Sequence, residues 1–161
     1  MYKRQPKTLG KDRLAAVVGA FALYSGENTL VIDAGTCIKY DLITLKGVYS
    51  GGSISPGINM RFQGLHTFTA QLPLLEKKAV RNLIGSNTTT AIRTGVQLGA
   101  ILEMEGFIKK YEDQFGRINV ILTGGDANYF ANNLKSKIFV NHQLVLIGLN
   151  KILNHNVQLL E

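Results

Sequence analysis

Three short stretches carry residue types that handle phosphates, cations or protons, and each lies at the end of a regular segment. Leu30-Val31-Ile32 runs into Asp33-Ala34-Gly35-Thr36. An apolar run of this kind reads as a strand covered on both faces, and a carboxylate at its end is delivered to a phosphate or a metal ion. Gly35 lets a ligand oxygen approach the backbone, and Thr36 adds a hydroxyl and an amide. The same residues also suit an Asx-type turn in which Asp33 only satisfies local N–H groups. A second apolar run, residues 118–122 with Asn119 as its one polar member, ends in Thr123-Gly124-Gly125-Asp126. The third stretch, Gly10-Lys11-Asp12-Arg13, opens a helical pattern. Asp12 there is favoured by the helix dipole, and free N–H groups beside it suit an anion; a plain N-cap role fits equally well.

The elements that must hold these groups follow from periodicity. Leu14, Val17, Val18, Phe21 and Ala22 recur at helical spacing over 12–24, and Ser25-Gly26 stops the helix. After the strand at 30–32, Ile38, Tyr40 and Leu42 alternate with Lys39, Asp41 and Ile43 as a second strand, and Lys46-Gly47 turns the chain. A third strand over 48–54 contains Gly51 and Gly52, which suit either the close approach of a ligand or crossing backbone, or a bulge. Ser55-Pro56-Gly57 then leads into a helix over 58–65. Residues 66–86 read as a surface excursion, Asn87-Thr88 as a helix cap, and 89–114 as one long helix. Within it Gly95 and Gly99 suggest close approach by another helix, a sheet or a second subunit. A helix over 127–134, a short strand over 138–140 and a helix over 144–153 complete the chain. Strands and helices in this order predict an α/β layer architecture with ligands at strand ends.

Composition excludes several classes. With 161 residues, 45% hydrophobic and 18% charged, the chain suits one domain with a sizeable core. No apolar run approaches the roughly 20 residues that span a bilayer, and the first residues lack an apolar signal core, so a cytoplasmic protein without membrane contact is expected. One cysteine, Cys37, precludes an internal disulfide and reads as packing, while His66, His142 and His155 have no metal-ligand spacing. The net charge is +7, but Lys and Arg are scattered as singles and pairs, without long basic runs or interleaved aromatics. That pattern suits attraction of anionic small molecules and argues against nucleic-acid binding.

Taken together, Gly10-Lys11-Asp12-Arg13, Asp33-Ala34-Gly35-Thr36, Gly51-Gly52-Ser53-Ile54-Ser55-Pro56-Gly57, Asn87-Thr88 with Gly95, and Thr123-Gly124-Gly125-Asp126-Ala127 resemble, in order and spacing, the type III pantothenate kinases. The resemblance implies a ribonuclease-H-like (actin-like ATPase) lobe with a mixed sheet flanked by helices. It also implies ATP-dependent phosphorylation of pantothenate to 4'-phosphopantothenate in coenzyme A synthesis. Residue by residue, Asp12 is expected as the general base, and Gly10, Lys11, Arg13, Thr88 and Tyr2 as substrate contacts, Tyr2 on the weakest spacing match. Thr88 is expected to act across a homodimer with shared active sites. Gly35, Thr36, Thr123, Gly124 and Gly125 are expected at ATP, and Asp33 at a monovalent cation, K+ or NH4+; Mg2+ accompanies the nucleotide. Arg13 is also suited to grip a substrate carboxylate in a bidentate fork. The family's first Asp-x-Gly-Asn-Thr turn has no counterpart here. The resemblance therefore divides the chain into a linker and helix (1–28) and a C-terminal lobe (29–161), without an N-terminal lobe and with weak or no activity alone. The alternative expectation is a non-catalytic ligand-binding or transcription-accessory protein of the same fold.

Overall fold

The strand that carries Asp33 is the centre of the sheet. In the computed structural model, which describes residues 9–80 and 82–159, β1 (Thr29–Ala34) is flanked on both edges and covered on both faces. Its period-two alternation sends Leu30, Ile32 and Ala34 into one apolar cluster and Val31 into another. A strand buried on both faces has no polar side to expose, hence its unbroken apolar sequence.

Antiparallel to β1 runs β2 (Cys37–Ile43), with Asp33 directly opposite Lys39 and Val31 opposite Asp41. Next comes β3 (Tyr49–Pro56), antiparallel to β2 after a turn in which Gly47 takes a positive φ of 72°. The pairing slips at Leu42/Ile43, and an added methyl group on Gly52 would collide with the Tyr40 carbonyl oxygen. The paired glycines of β3 thus serve a bulge and a close backbone approach within the sheet. On the other edge of β1, β4 (Asn119–Thr123) runs parallel to it, and β5 (Phe139–Val140) runs parallel to β4. The five-strand order is β3-β2-β1-β4-β5.

Helices form a layer on each face. α1 (Lys11–Leu23) and α6 (Leu144–Gln158) bury Ala16, Val17, Ala20 and Leu144 against Val31, Ile43 and Ile121. They cross closely because Gly19 and Gly148 meet, each against the other helix's backbone. The opposite layer holds α2 (Ile58–Thr67), α3 (Thr88–Arg93), α4 (Gly99–Phe115) and α5 (Ala127–Ala131), which pack Phe62, Ile92, Met104 and Phe130 onto the other face.

Three expectations change in detail. The helix expected over 89–114 is divided by a π turn at Thr94–Leu98. Its widened turn carries Gln97, 1% exposed, whose amide donates to the Lys78 carbonyl (2.8 Å), accepts from the Lys78 N–H (3.1 Å) and reaches the Tyr129 hydroxyl. Those bonds offset the irregular turn. Gly95 and Gly99 border no close neighbour among the described residues, so they mark no packing contact within the described chain. Finally, α5 is shorter than expected, ending at Ala131, and α6 runs on to Gln158.

Candidate functional site

Strand alternation gathers the polar residues of the sheet on one face. Ile38, Tyr40 and Leu42 of β2 enter the α2/α4 cluster, so Lys39 and Asp41 project toward α1, on the side to which β1 sends Asp33. Helix α1 begins above them. Its N-cap is Gly10, with no side-chain cap, and Asp12 lies one residue inside the first turn. Asp12 therefore does not cap the helix. The Lys39 ammonium donates to Asp12 Oδ2 and to Asp33 Oδ2, both at 2.8 Å, and joins the two carboxylates singled out by sequence. Asp12 Oδ1 occupies the space beside Gly10, where an added Cβ would come within 2.5 Å of it. The hydrogen bond from Lys39 holds the Asp12 carboxyl below its ordinary value, against a smaller opposing effect of burial. For Lys39, burial disfavours the charge, but bonds to Asp12 and Asp33 outweigh it and raise its pKa.

Arg13 has a different partner from the one expected. Its guanidinium makes a two-pronged contact with Asp41, through the second terminal nitrogen at 2.6 Å and Nε at 3.0 Å, and Asp41 also accepts from Tyr49 Oη at 2.6 Å. Asp41 is 2% exposed. The fork suited to a substrate carboxylate is thus spent on an internal one, which fixes α1 to β2. Lys11 is exposed beside it.

The two glycine turns meet at the C-terminal ends of β1 and β4, where Asp33 pairs with Thr123. The Asp126 N–H donates to the Ala34 carbonyl at 2.9 Å, and the Gly57 N–H to the Thr36 carbonyl at 2.9 Å. Gly124, at φ 94°, packs so closely that a Cβ would lie 2.5 Å from Asp33 Oδ1. Gly57 is equally enclosed by the Gly35–Thr36 backbone, whereas Gly35 and Gly125 have open space before them and Thr36 is exposed. The motif glycines therefore divide into two that lock the turns together and two that leave their outer side accessible. Thr123 is buried at 2% and shapes its turn from within. Lys77 forms an ion pair with Asp126 and lies 5.8 Å from the centre of the Tyr129 ring.

Not every expected residue joins this group. Thr88 is exposed at the start of α3, where Asn87 closes a capping box with Thr90. It borders an open, mainly apolar groove of about 1020 Å³ with Met60, Phe68 and Ala91, in the layer opposite α1. Tyr2 lies outside the described residues. Sequence reasoning passed over Lys39, Asp41 and Gln97. The alternation of β2 already put Lys39 and Asp41 on one face, but only the pairing register set Lys39 across from Asp33.

Comparison with known proteins settles the relationship. The family model for type III pantothenate kinase matches residues 1–110, which contain the Asp12, Asp33 and Gly57 motifs. A type III pantothenate kinase from Cytophaga hutchinsonii is 50% identical over 152 residues, 94% of this chain. The chain belongs to the type III pantothenate kinase family. It spans 65% of that relative's length. Among solved structures, a conserved Baf family protein from Campylobacter jejuni superposes with a TM-score of 0.69 at 23% identity, over 98% of this chain and 70% of its own. A Sinorhizobium meliloti protein assigned as a 2-dehydro-3-deoxygalactonokinase gives 0.55 at 16% identity, over 85% and 57%. These two likenesses establish the fold, and the mixed sheet with helices on both faces is the ribonuclease-H-like lobe that membership of this kinase family implies. No helix among the described residues is long and apolar enough to cross a membrane.

Proposed function

We propose that the protein to which this sequence belongs transfers the γ-phosphoryl group of ATP to the hydroxyl of pantothenate, giving 4'-phosphopantothenate for coenzyme A synthesis. One observation carries the reading. The Asp12 and Asp33 carboxylates share the Lys39 ammonium beside the interlocked 34–36 and 123–126 turns, so an ionised base lies next to open glycine backbone. Phosphoryl transfer asks a protein mainly for positioning and charge stabilisation. The hydroxyl oxygen of pantothenate attacks the γ-phosphorus, the bond to the bridging oxygen breaks, and ADP leaves with that electron pair. Asp12 Oδ1, the oxygen not bonded to Lys39, takes the hydroxyl proton. Its lowered pKa keeps it ionised at neutral pH, the form a base requires.

In this reading Gly35, Thr36 and Gly125 face the ATP phosphates, with Gly124 and Thr123 holding their turn, while Gly10, Lys11 and Arg13 frame the pantothenate side. Arg13 acts there through Asp41 as a positioning residue. Thr88 serves a neighbouring subunit in a homodimer; its place in the layer opposite α1 supports that assignment. Among the described residues no three acidic, histidine or cysteine side chains form a metal cluster. Mg2+ would accompany the ATP phosphates, where it would offset their charge. A free monovalent cation does not fit at Asp33, whose Oδ2 is held by Lys39 and whose Oδ1 borders Gly124.

Asp12→Asn in the full-length protein tests the base. Turnover should fall by about 100-fold to 10,000-fold, with pantothenate affinity kept within a few-fold by calorimetry. Unchanged turnover removes Asp12 from that role.

A further inference from the structure

Lys39 stands where the resemblance leads one to expect a free ion. It lies directly across the β1–β2 ladder from Asp33, and its Nζ is 2.8 Å from Asp33 Oδ2 and 2.8 Å from Asp12 Oδ2. Both the Lys39 and the Asp33 side chain are 22% exposed, so the pair is largely withdrawn from water. The remaining Asp33 oxygen borders Gly124. An alkali ion seeking Asp33 would have to displace a tethered cation or sit beside it, and two like charges so close in a partly desolvated site repel. An ammonium carries three donors, and two of Lys39's are engaged by the carboxylates. Among the described residues the third has no partner, which leaves it for a phosphate or hydroxyl oxygen entering the site.

We propose that Lys39 is the resident monovalent cation of this site: its tethered ammonium replaces a free potassium or ammonium ion between Asp33 and Asp12, so the protein works without binding either. The inference rests on the kinase reading for the identity of the site, but not for its test.

Thallium-205 NMR of the full-length protein, with Tl+ as a potassium surrogate and potassium nitrate as competitor against choline nitrate at constant ionic strength, needs neither ATP nor pantothenate. Wild type should show no K+-competitive Tl+ binding at millimolar concentration. Lys39→Met removes the ammonium and keeps the length, and it should acquire such binding at least tenfold above wild type. If Lys39→Met does not fold, Lys39→Gln, which retains a donor for the carboxylates, takes its place. Competitive Tl+ binding by wild type, or a neutral variant as silent as wild type, overturns the proposal. Turnover of the full-length protein should agree within twofold between KCl and choline chloride, and a stronger K+ requirement also overturns it. Failure of the kinase reading would appear separately, as absent stabilisation by ATP and pantothenate with the Tl+ result unchanged.

Discussion

At the scale of single residues, the site depends on two charge groups that behave differently. Asp12, Lys39 and Asp33 form a partly open cluster, with Asp12 52% exposed and the other two 22%. Arg13 and Asp41 form a closed one, at 15% and 3% side-chain exposure. Removing one partner of a buried pair leaves an uncompensated charge. Asp41→Asn should therefore destabilise the chain by about 2–4 kcal/mol, read from urea denaturation. Arg13→Met combined with Asp41→Leu should cost less than the two single changes added, because neither charge is then stranded. A strictly additive result would show that the pair is not coupled.

Elements meet through backbone contacts that one atom can disturb. On α6, Gly148 lies against the Ala15 carbonyl of α1, and Gly19 against the Leu144 carbonyl. Gly148→Ala must push the helices apart and should cost about 2–3 kcal/mol. Gly99 has helical geometry and open space beside it. Gly99→Ala should instead leave stability unchanged or raise it by about 0.5–1 kcal/mol. Thermal melts of the two variants, run side by side, test which glycines are packing contacts. The π turn makes a third case. Gln97→Leu strands the N–H and carbonyl of Lys78 and should cost about 1–3 kcal/mol. Amide exchange near Lys78 should accelerate with it. Unaltered exchange would mean that Gln97 does not anchor that segment.

For the whole molecule, the linked ionisations set a stability plateau. Asp12, held down by the Lys39 hydrogen bond, has a native pKa below its ordinary 3.8. Glu103 loses by burial but gains more from Ser55 and Arg61, which hold it below its ordinary 4.5. Groups depressed in this way stabilise the fold above their ordinary pKa, and that contribution is lost as pH falls through the native value. On the alkaline side, burial and Glu103 raise Tyr40, and burial and Asp41 raise Tyr49, both from 10.0. Lys39 is raised from 10.5. Raised groups lose their contribution as pH climbs, because the unfolded chain releases those protons first. The unfolding free energy should be flat from about pH 5 to 9.5, decline below about 4.5 and decline again above about 10. An optimum confined to one side of neutrality would contradict this assignment. The molecule also leaves Leu146, Leu153 and Leu159 of its last helical segment exposed, at 65%, 60% and 71%.

The local order of the chain was legible because it follows from local physics. Apolar runs gave β1 and β4, alternation gave β2, and the Asp33, Asp12 and Thr123 motifs stood at element ends where ligand chemistry belongs. Asn87 marked its own cap by side-chain type, and the five ordered motifs carried the family resemblance. What the sequence left open were contacts between residues distant along the chain. Strand register is a pairing property, so only the fold could set Lys39 opposite Asp33 and then beneath Asp12, 27 positions away. Arg13 looked available for a substrate because Asp41, 28 positions on, is invisible to local reading. Gly95 and Gly99 had the spacing of a packing pair, yet Gly19 and Gly148 make the contact, since a glycine's role is decided by which backbone crosses it. The sequence by itself determined which groups this protein carries and the strands and helices that present them. Tertiary structure decided which charges neutralise one another and which remain for a ligand, because those outcomes depend on distances that exist only after the sheet has paired.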